Sequence, residues 1–242
     1  MAHSVRNRIF KFGNLQNAQT AGLPADMYGH TSRLYPFQSK PTALKMSSSD
    51  AGDTLPMNIE GLDKNKFIVT QKKDLNGHTP VDLDGLWFRQ YICYNDDAGV
   101  PLVGTVYIYE ADASVIDGVP QEAEKIKIVV KPAYQRTMML VYTTPIDYVC
   151  RLKNVRVGIV PKSASSVYGT VGIFTRPPGK AFTCQGYSGL ITSGTSVDEI
   201  NISGMSDVQP FTDIVVRVIE ASANGIEFQG SFNLDFTRKI KV

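Results

Sequence analysis

Histidine is scarce in this 242-residue chain, with His3, His30 and His78 as its full complement, and cysteine is equally scarce, with Cys93, Cys150 and Cys184. No HxH, HxxxH or CxxC spacing occurs among them, so no metal site has a ligand pattern and no dense disulfide framework is expected. The odd cysteine count favours synthesis in a reducing compartment. Helical periodicity is nearly missing: PQEAEKIK, residues 120–127, could form a turn or two. Without strands alternating with helices, a doubly wound nucleotide fold is not expected. There is no GxGxxG, no Walker A sequence and no GxSxG elbow, so the chain carries no signature of dinucleotide, nucleotide or acyl-transfer chemistry. No cofactor is expected, and no enzymatic activity. The net charge of +2 is too small for a field that would gather nucleic acid or an anionic membrane. No apolar run approaches the ~18 residues of a membrane helix, and MAHSVRNRIFKFGNLQNAQ has no apolar run after its basic residues, so neither a membrane span nor a signal peptide is expected.

What the chain does have is strands. IEFQGSFNLDF, residues 226–236, alternates without a slip: Ile226, Phe228, Phe232, Leu234 and Phe236 share one parity, and Glu227, Gln229, Ser231, Asn233 and Asp235 the other. Successive side chains of a strand point to opposite faces, so this stretch buries one face and wets the other. The preceding DIVVRVIEA is apolar on both parities and is expected to lie centrally or under a neighbour. Short β-branched runs recur from residue 57 onward with Gly, Pro and Asn between them, and Asn76-Gly77 and Asn224-Gly225 read as tight hairpin turns. The fold class expected is all-β, an antiparallel β-sandwich of jelly-roll-like form over residues 56–242, with a candidate division at 112–122.

Residues 1–55 differ. Pro24, Pro36, Pro41 and Pro56 interrupt this region, and MSSSDAGD (46–53) reads as a linker, yet aromatic residues persist. An extended N-terminal arm that needs a surface to lie on is expected, either its own domain or a neighbouring subunit. Its candidate interface residues are Arg6, Arg8, Phe10, Phe12, Tyr28, Tyr35 and Phe37. The carboxylates of DLDG (82–85) and NDDAG (95–99) lack the oxygen-ligand spacing of a calcium loop and read as turn chemistry. Trp87, in LWFRQ, is expected in the core.

Three stretches carry a resemblance. IEGLDKNKFIVTQKKDLNGHTPV running into LWFRQYICY, TMMLVYTTPIDYVCRLKNVRVGI, and VQPFTDIVVRVIEASANGIEFQGSFNLDF resemble, in motif and order, segments of virion structural proteins of tailed bacteriophages. The match covers roughly residues 57–240, and the N-terminal arm departs from it. The resemblance implies a non-enzymatic structural subunit made in a bacterial cytoplasm and placed in a virion. A capsid decoration or cement protein on the head surface is expected, with the major capsid protein or other virion proteins as partners, and with self-association. The alternatives are a tail adaptor, ring or fibre-anchoring subunit, a single jelly-roll coat protein, and a carbohydrate-binding β-sandwich using Tyr91, Tyr94, Tyr107 and Tyr109 as an aromatic platform.

Overall fold

The computed structural model describes residues 8–29, 33–97, 99–161, 166–202 and 207–238. Its strands in chain order are β1 (Arg8–Ala18), β2 (Ala25–Asp26), β3 (Leu44–Ser48), β4 (Pro56–Asp63), β5 (Ile68–Asp74), β6 (Val81–Asp82), β7 (Trp87–Asn95), β8 (Val106–Glu110), β9 (Val115–Ile116), β10 (Val119–Pro120), β11 (Ile126–Val130), β12 (Val141–Thr143), β13 (Tyr148–Val160), β14 (Val167–Arg176), β15 (Thr183–Thr192), β16 (Ser196–Ile200), β17 (Asp213–Ala221) and β18 (Ile226–Arg238). Helix among the described residues amounts to single 3-10 turns at Thr20–Gly22 and Ala123–Lys125. The chain divides into two compact units. Unit 1 takes the residues up to Leu34 and from Leu140 on, and unit 2 is the continuous stretch Tyr35–Met139. The boundaries expected at 55 and at 112–122 both fall inside unit 2.

Unit 1 has two antiparallel sheets, ordered β1-β18-β13-β16 and β12-β17-β14-β15, with β2 also on β17. β2 and β12 lie end to end along one edge of β17: Ala25 and Asp26 face Val218 and Arg217, while Val141 to Thr143 face Val215 to Asp213. The Met27 N–H donates to the Val216 carbonyl at 3.0 Å, and the Val216 N–H to the Leu140 carbonyl at 3.0 Å. The two short pieces therefore complete one ladder and act as one strand, from the middle of which the chain departs and to which it returns at Leu140. Counted so, the first strand pairs with the last, the second with the penultimate, β13 with β16, and β14 with β15. That nested pairing across two sheets is the jelly roll, and it meets the expected fold class.

This topology changes the place of the expected arm. The described residues from Arg8 to Met27 form the first strand and half of the second, while β3 belongs to unit 2. The sequence of β1 does not show the alternation of a strand. Ile9 and Leu15 are buried, but Lys11 and Asn14 are buried too, and Phe10 is 54% exposed. The hydrophobic alternation that marks a strand in sequence is blurred there.

β18 behaves as its pattern requires: Ile226, Phe228, Phe232 and Leu234 are buried, with the opposite parity half-exposed or exposed over most of its length. β17 is buried on both parities, at Ile214, Val215, Val216 and Val218. The two strands do not pair as a hairpin. β17 lies in one sheet and β18 in the other, so Asn224-Gly225, with Gly225 at φ +81°, turns a corner between sheets. Asn76-Gly77 likewise joins strands of different sheets, β5 and β6. In both places the expected turn forms but the flanking strands do not pair with each other, because pairing is set by which edges remain open.

Unit 2 contains the sheets β11-β8-β3-β6 and β5-β4-β7 and the small ribbon β10-β9. Its core includes Met46, Ile59, Leu62, Tyr91, Ile108 and Trp87, the last 1% exposed as expected. The buried Asp53 carboxylate accepts hydrogen bonds from Ser48 Oγ (2.6 Å) and from the backbone N–H groups of Val103 (3.0 Å) and Gly104 (2.9 Å), pinning two loops to the end of β3.

Candidate interaction surface

The outer face of the β1-β18-β13-β16 sheet is built in rows by the register. Arg8, Asp235 and Arg151 form one row, Phe10, Asn233 and Lys153 the next, and Phe12, Ser231, Arg156 and Glu199 the third. β1 is the edge strand, so its side chains close one border of this face. Arg8 Nε donates to Asp235 Oδ1 at 2.6 Å, and Arg151 Nε to Asp207 Oδ1 at 2.8 Å. The hydrogen bond and the charge of Arg8 hold the Asp235 carboxyl below the usual carboxylate range, and the Arg8 guanidinium is raised in turn. Asp235 is thus an anion at neutral pH and no proton donor. A shallow polar groove of about 240 Å³ runs here, lined by Val149, Arg151, Lys153, Asp207, Asp235 and Thr237.

Beside the groove stand two aromatic rings. The Phe10 and Phe12 centroids are 5.8 Å apart with planes tilted by 42°, and Phe10 is 54% exposed. An aromatic pair with arginines beside it and a polar surround is the composition that protein–protein contacts favour at their centres. Of the sequence-derived candidates, Arg8, Phe10 and Phe12 are brought together on this face. Arg6 lies outside the described residues. Tyr28 is fully buried in unit 1, and burial pushes its phenol up. Tyr35, 4% exposed, and Phe37 belong to unit 2. Their rings meet edge-on at 4.8 Å, with Arg89 stacked over Phe37 at 5.2 Å. Tyr28 and Tyr35 are core residues and present no surface.

The aromatic platform considered for a glycan does not form. Tyr91 and Tyr109 are buried, and the Tyr109 hydroxyl lies 3.0 Å from Ser47 Oγ. Tyr94 is exposed and Tyr107 half-buried, on different strands and sheets. Among the described residues, no three His, Cys, Asp or Glu side chains group to hold a metal ion. Cys93, Cys150 and Cys184 are all free thiols, and burial pushes Cys93 and Cys150 up, away from thiolate reactivity.

Sequence reasoning missed a second charged cluster, on the outer face of the other sheet. Arg176 clasps Asp213 Oδ2 through Nε (2.9 Å) and Nη2 (2.6 Å), and Thr143 Oγ1 donates to Asp213 Oδ1 at 2.5 Å. Arg217 holds the fully buried Asp26 at 2.6 Å and stacks over Phe174 at 4.9 Å and Phe182 at 5.2 Å. The signal available was Arg217 within the apolar run Ile214 to Ile219. Its partner, 191 residues away in sequence, had no local mark.

No family model matches the chain, and no curated protein matches it. Among solved structures, the chain aligns with the crystal structure of the infectious bursal disease virus VP2 subviral particle at 8% identity, over 98% of this chain and 74% of that one. The TM-score is 0.21, too low for that likeness to bear on fold or function.

Proposed function

We propose that this chain is a non-enzymatic structural subunit of a tailed-phage virion, a decoration protein that binds the head surface and bridges neighbouring capsid subunits. The observation that carries the reading is the Phe10–Phe12 pair on an edge strand, Phe10 exposed and Phe12 half-buried, bordered by Arg8, Arg151 and Arg156. The motif resemblance over residues 57–240 supports it, and so does the jelly roll by fold-level analogy, since viral capsid domains are among its users. Binding only to the expanded head lattice would stabilise that state by mass action. The bound subunit would act mechanically, raising the cost of separating the capsid proteins it spans.

The test is co-sedimentation of the purified protein with expanded and unexpanded heads. Expanded heads are expected to bind it, and Phe10→Ala with Phe12→Ala to weaken binding at least tenfold, the scale of removing a contact centre worth more than about 1.4 kcal/mol. No binding to heads sinks the decoration reading. Density confined to one axial vertex in cryo-electron microscopy of particles replaces it with the tail-associated reading.

A further inference from the structure

Long edge strands invite pairing with another chain, and proteins guard them with charge. Here the edges carry such guards: Arg8 and Lys11 in β1, Asp198 and Glu199 in β16, Lys72 and Lys73 in β5, Arg89 in β7 and Lys127 in β11. Among the described edge strands of five or more residues, β15, TCQGYSGLIT, has no such guard. It is an edge of its sheet, spans 10 residues, and contains no charged side chain and no proline. Beyond its ladder with β14, Tyr187 to Ile191 make no backbone–backbone hydrogen bond among the described residues. The strand also alternates cleanly: Tyr187, Gly189 and Ile191 are exposed, Ser188 and Leu190 buried. Tyr187 and Ile191 are 70% and 76% exposed, extreme for side chains of that size.

We propose that β15 is a self-association edge, through which two copies of this chain join their sheets by antiparallel β15–β15 pairing about a two-fold axis at Gly189. The occupant follows from the strand's self-complementarity. An antiparallel pair centred on Gly189 sets Tyr187 of one copy opposite Ile191 of the other, twice, giving the aromatic–β-branched cross-strand pairs that sheets favour. Buried-parity Ser188 faces Leu190 in the same register, its hydroxyl already donating to the Asp198 carboxylate of β16 within its own copy. Within one copy, Ile191 already lies across from Tyr168, 47% exposed, and Tyr187 across from Gly172, whose missing side chain leaves Ile219 close by. Pairing extends these into two continuous rows, Arg217, Gly172 and Tyr187 of one copy running on to Ile191 and Tyr168 of its partner, with Ile219 close beside Gly172. Gly189, with nothing within 4 Å of where a Cβ would stand, keeps the axis free of steric hindrance. This dimer is independent of the head-binding reading and uses the opposite sheet.

The test is sedimentation equilibrium over a range of concentrations up to millimolar. Wild-type protein is expected to pass from monomer to dimer. Tyr187→Glu and Ile191→Lys, both at exposed positions, are each expected to remain monomeric with an unchanged circular dichroism spectrum. The register is read by cross-linking in a Cys184→Ser background: Tyr187→Cys mixed with Ile191→Cys gives a disulfide-linked dimer under oxidised glutathione, and either variant alone does not. A wild-type protein that stays monomeric, or charge variants that dimerise like wild type, overturn the proposal. A mixture that fails to cross-link while dimerisation persists overturns the Gly189-centred pairing.

Discussion

Lys127 sits at the bulge of β11 with its side chain 2% exposed, and its Nζ lies 2.8 Å from Glu110 Oε1. It also donates to the carbonyls of Pro36 (3.2 Å) and Glu124 (3.1 Å). Desolvation lowers its pKa, and Glu110 opposes that shift. Glu110 is 24% exposed, so the two partners are unequally buried, and removing one is not equivalent to removing the other. Glu110→Gln strands the more deeply buried charge and is expected to cost about 3 kcal/mol, the low end for breaking a buried pair. Lys127→Met leaves behind a carboxylate that water reaches, and is expected to cost less. The pH dependence has a definite sign. A lysine whose folded pKa lies below its unfolded value holds fewer protons folded than unfolded, so stability rises with pH between the two values. Glu110→Gln lowers the folded value further, so its penalty should shrink as pH climbs toward ~10.4, the ordinary lysine value. Denaturant midpoints of both variants against wild type across the alkaline range measure this. A penalty for Glu110→Gln that stays constant with pH would show that Lys127 does not carry the cost.

At the scale of elements, the two sheets of unit 1 meet where Phe228 of β18 fills the space above Gly169 of β14. A Cβ at Gly169 would stand 2.5 Å from Phe228 Cζ and 2.6 Å from Cε1. Gly169→Ala is therefore expected to destabilise by about 1–3 kcal/mol through overpacking, and Phe228→Leu by about 1 kcal/mol through lost volume. Together they should cost less than the sum, because each relieves the other's misfit. Thermal unfolding of the three variants gives the coupling, and strict additivity would refute the contact. How much of this was legible follows from the same strands. β18 could be read from sequence because its parities separate cleanly. β1 could not, with Lys11 buried and Phe10 exposed. The interaction face was half legible: Arg8, Phe10 and Phe12 are marked by their composition, while Arg151 and Lys153 are brought beside them by the β13–β18 register and Asp207 by the Cys150–Val208 bridge. The Asn-Gly turns announced a reversal of direction, but not that the chain would change sheets there.

At the scale of the molecule, the second strand of the jelly roll is interrupted and Tyr35–Met139 is inserted between its halves. The two halves remain one ladder: the Leu140 N–H donates to the Met27 carbonyl at 2.7 Å, so the chain returns to the point from which it left. An insertion that begins and ends at one point of its host leaves the host's pairing intact and is free to have a core of its own. Unit 2 has such a core, with Trp87, Tyr91, Tyr109, Leu44 and Met46 each at most 1% exposed, and it closes its own sheets, β11-β8-β3-β6 and β5-β4-β7. The fragment 35–139 expressed alone is therefore expected to give a dispersed amide spectrum and one cooperative unfolding transition. It is also expected to be monomeric at every concentration, since β15 belongs to the other unit, and to leave phage heads unbound, since β1 does too. A fragment that folds and yet dimerises like the whole chain would move the self-association edge into unit 2. A fragment that stays unfolded would show that its core requires the jelly roll, and the chain would then have to be treated as a single cooperative body.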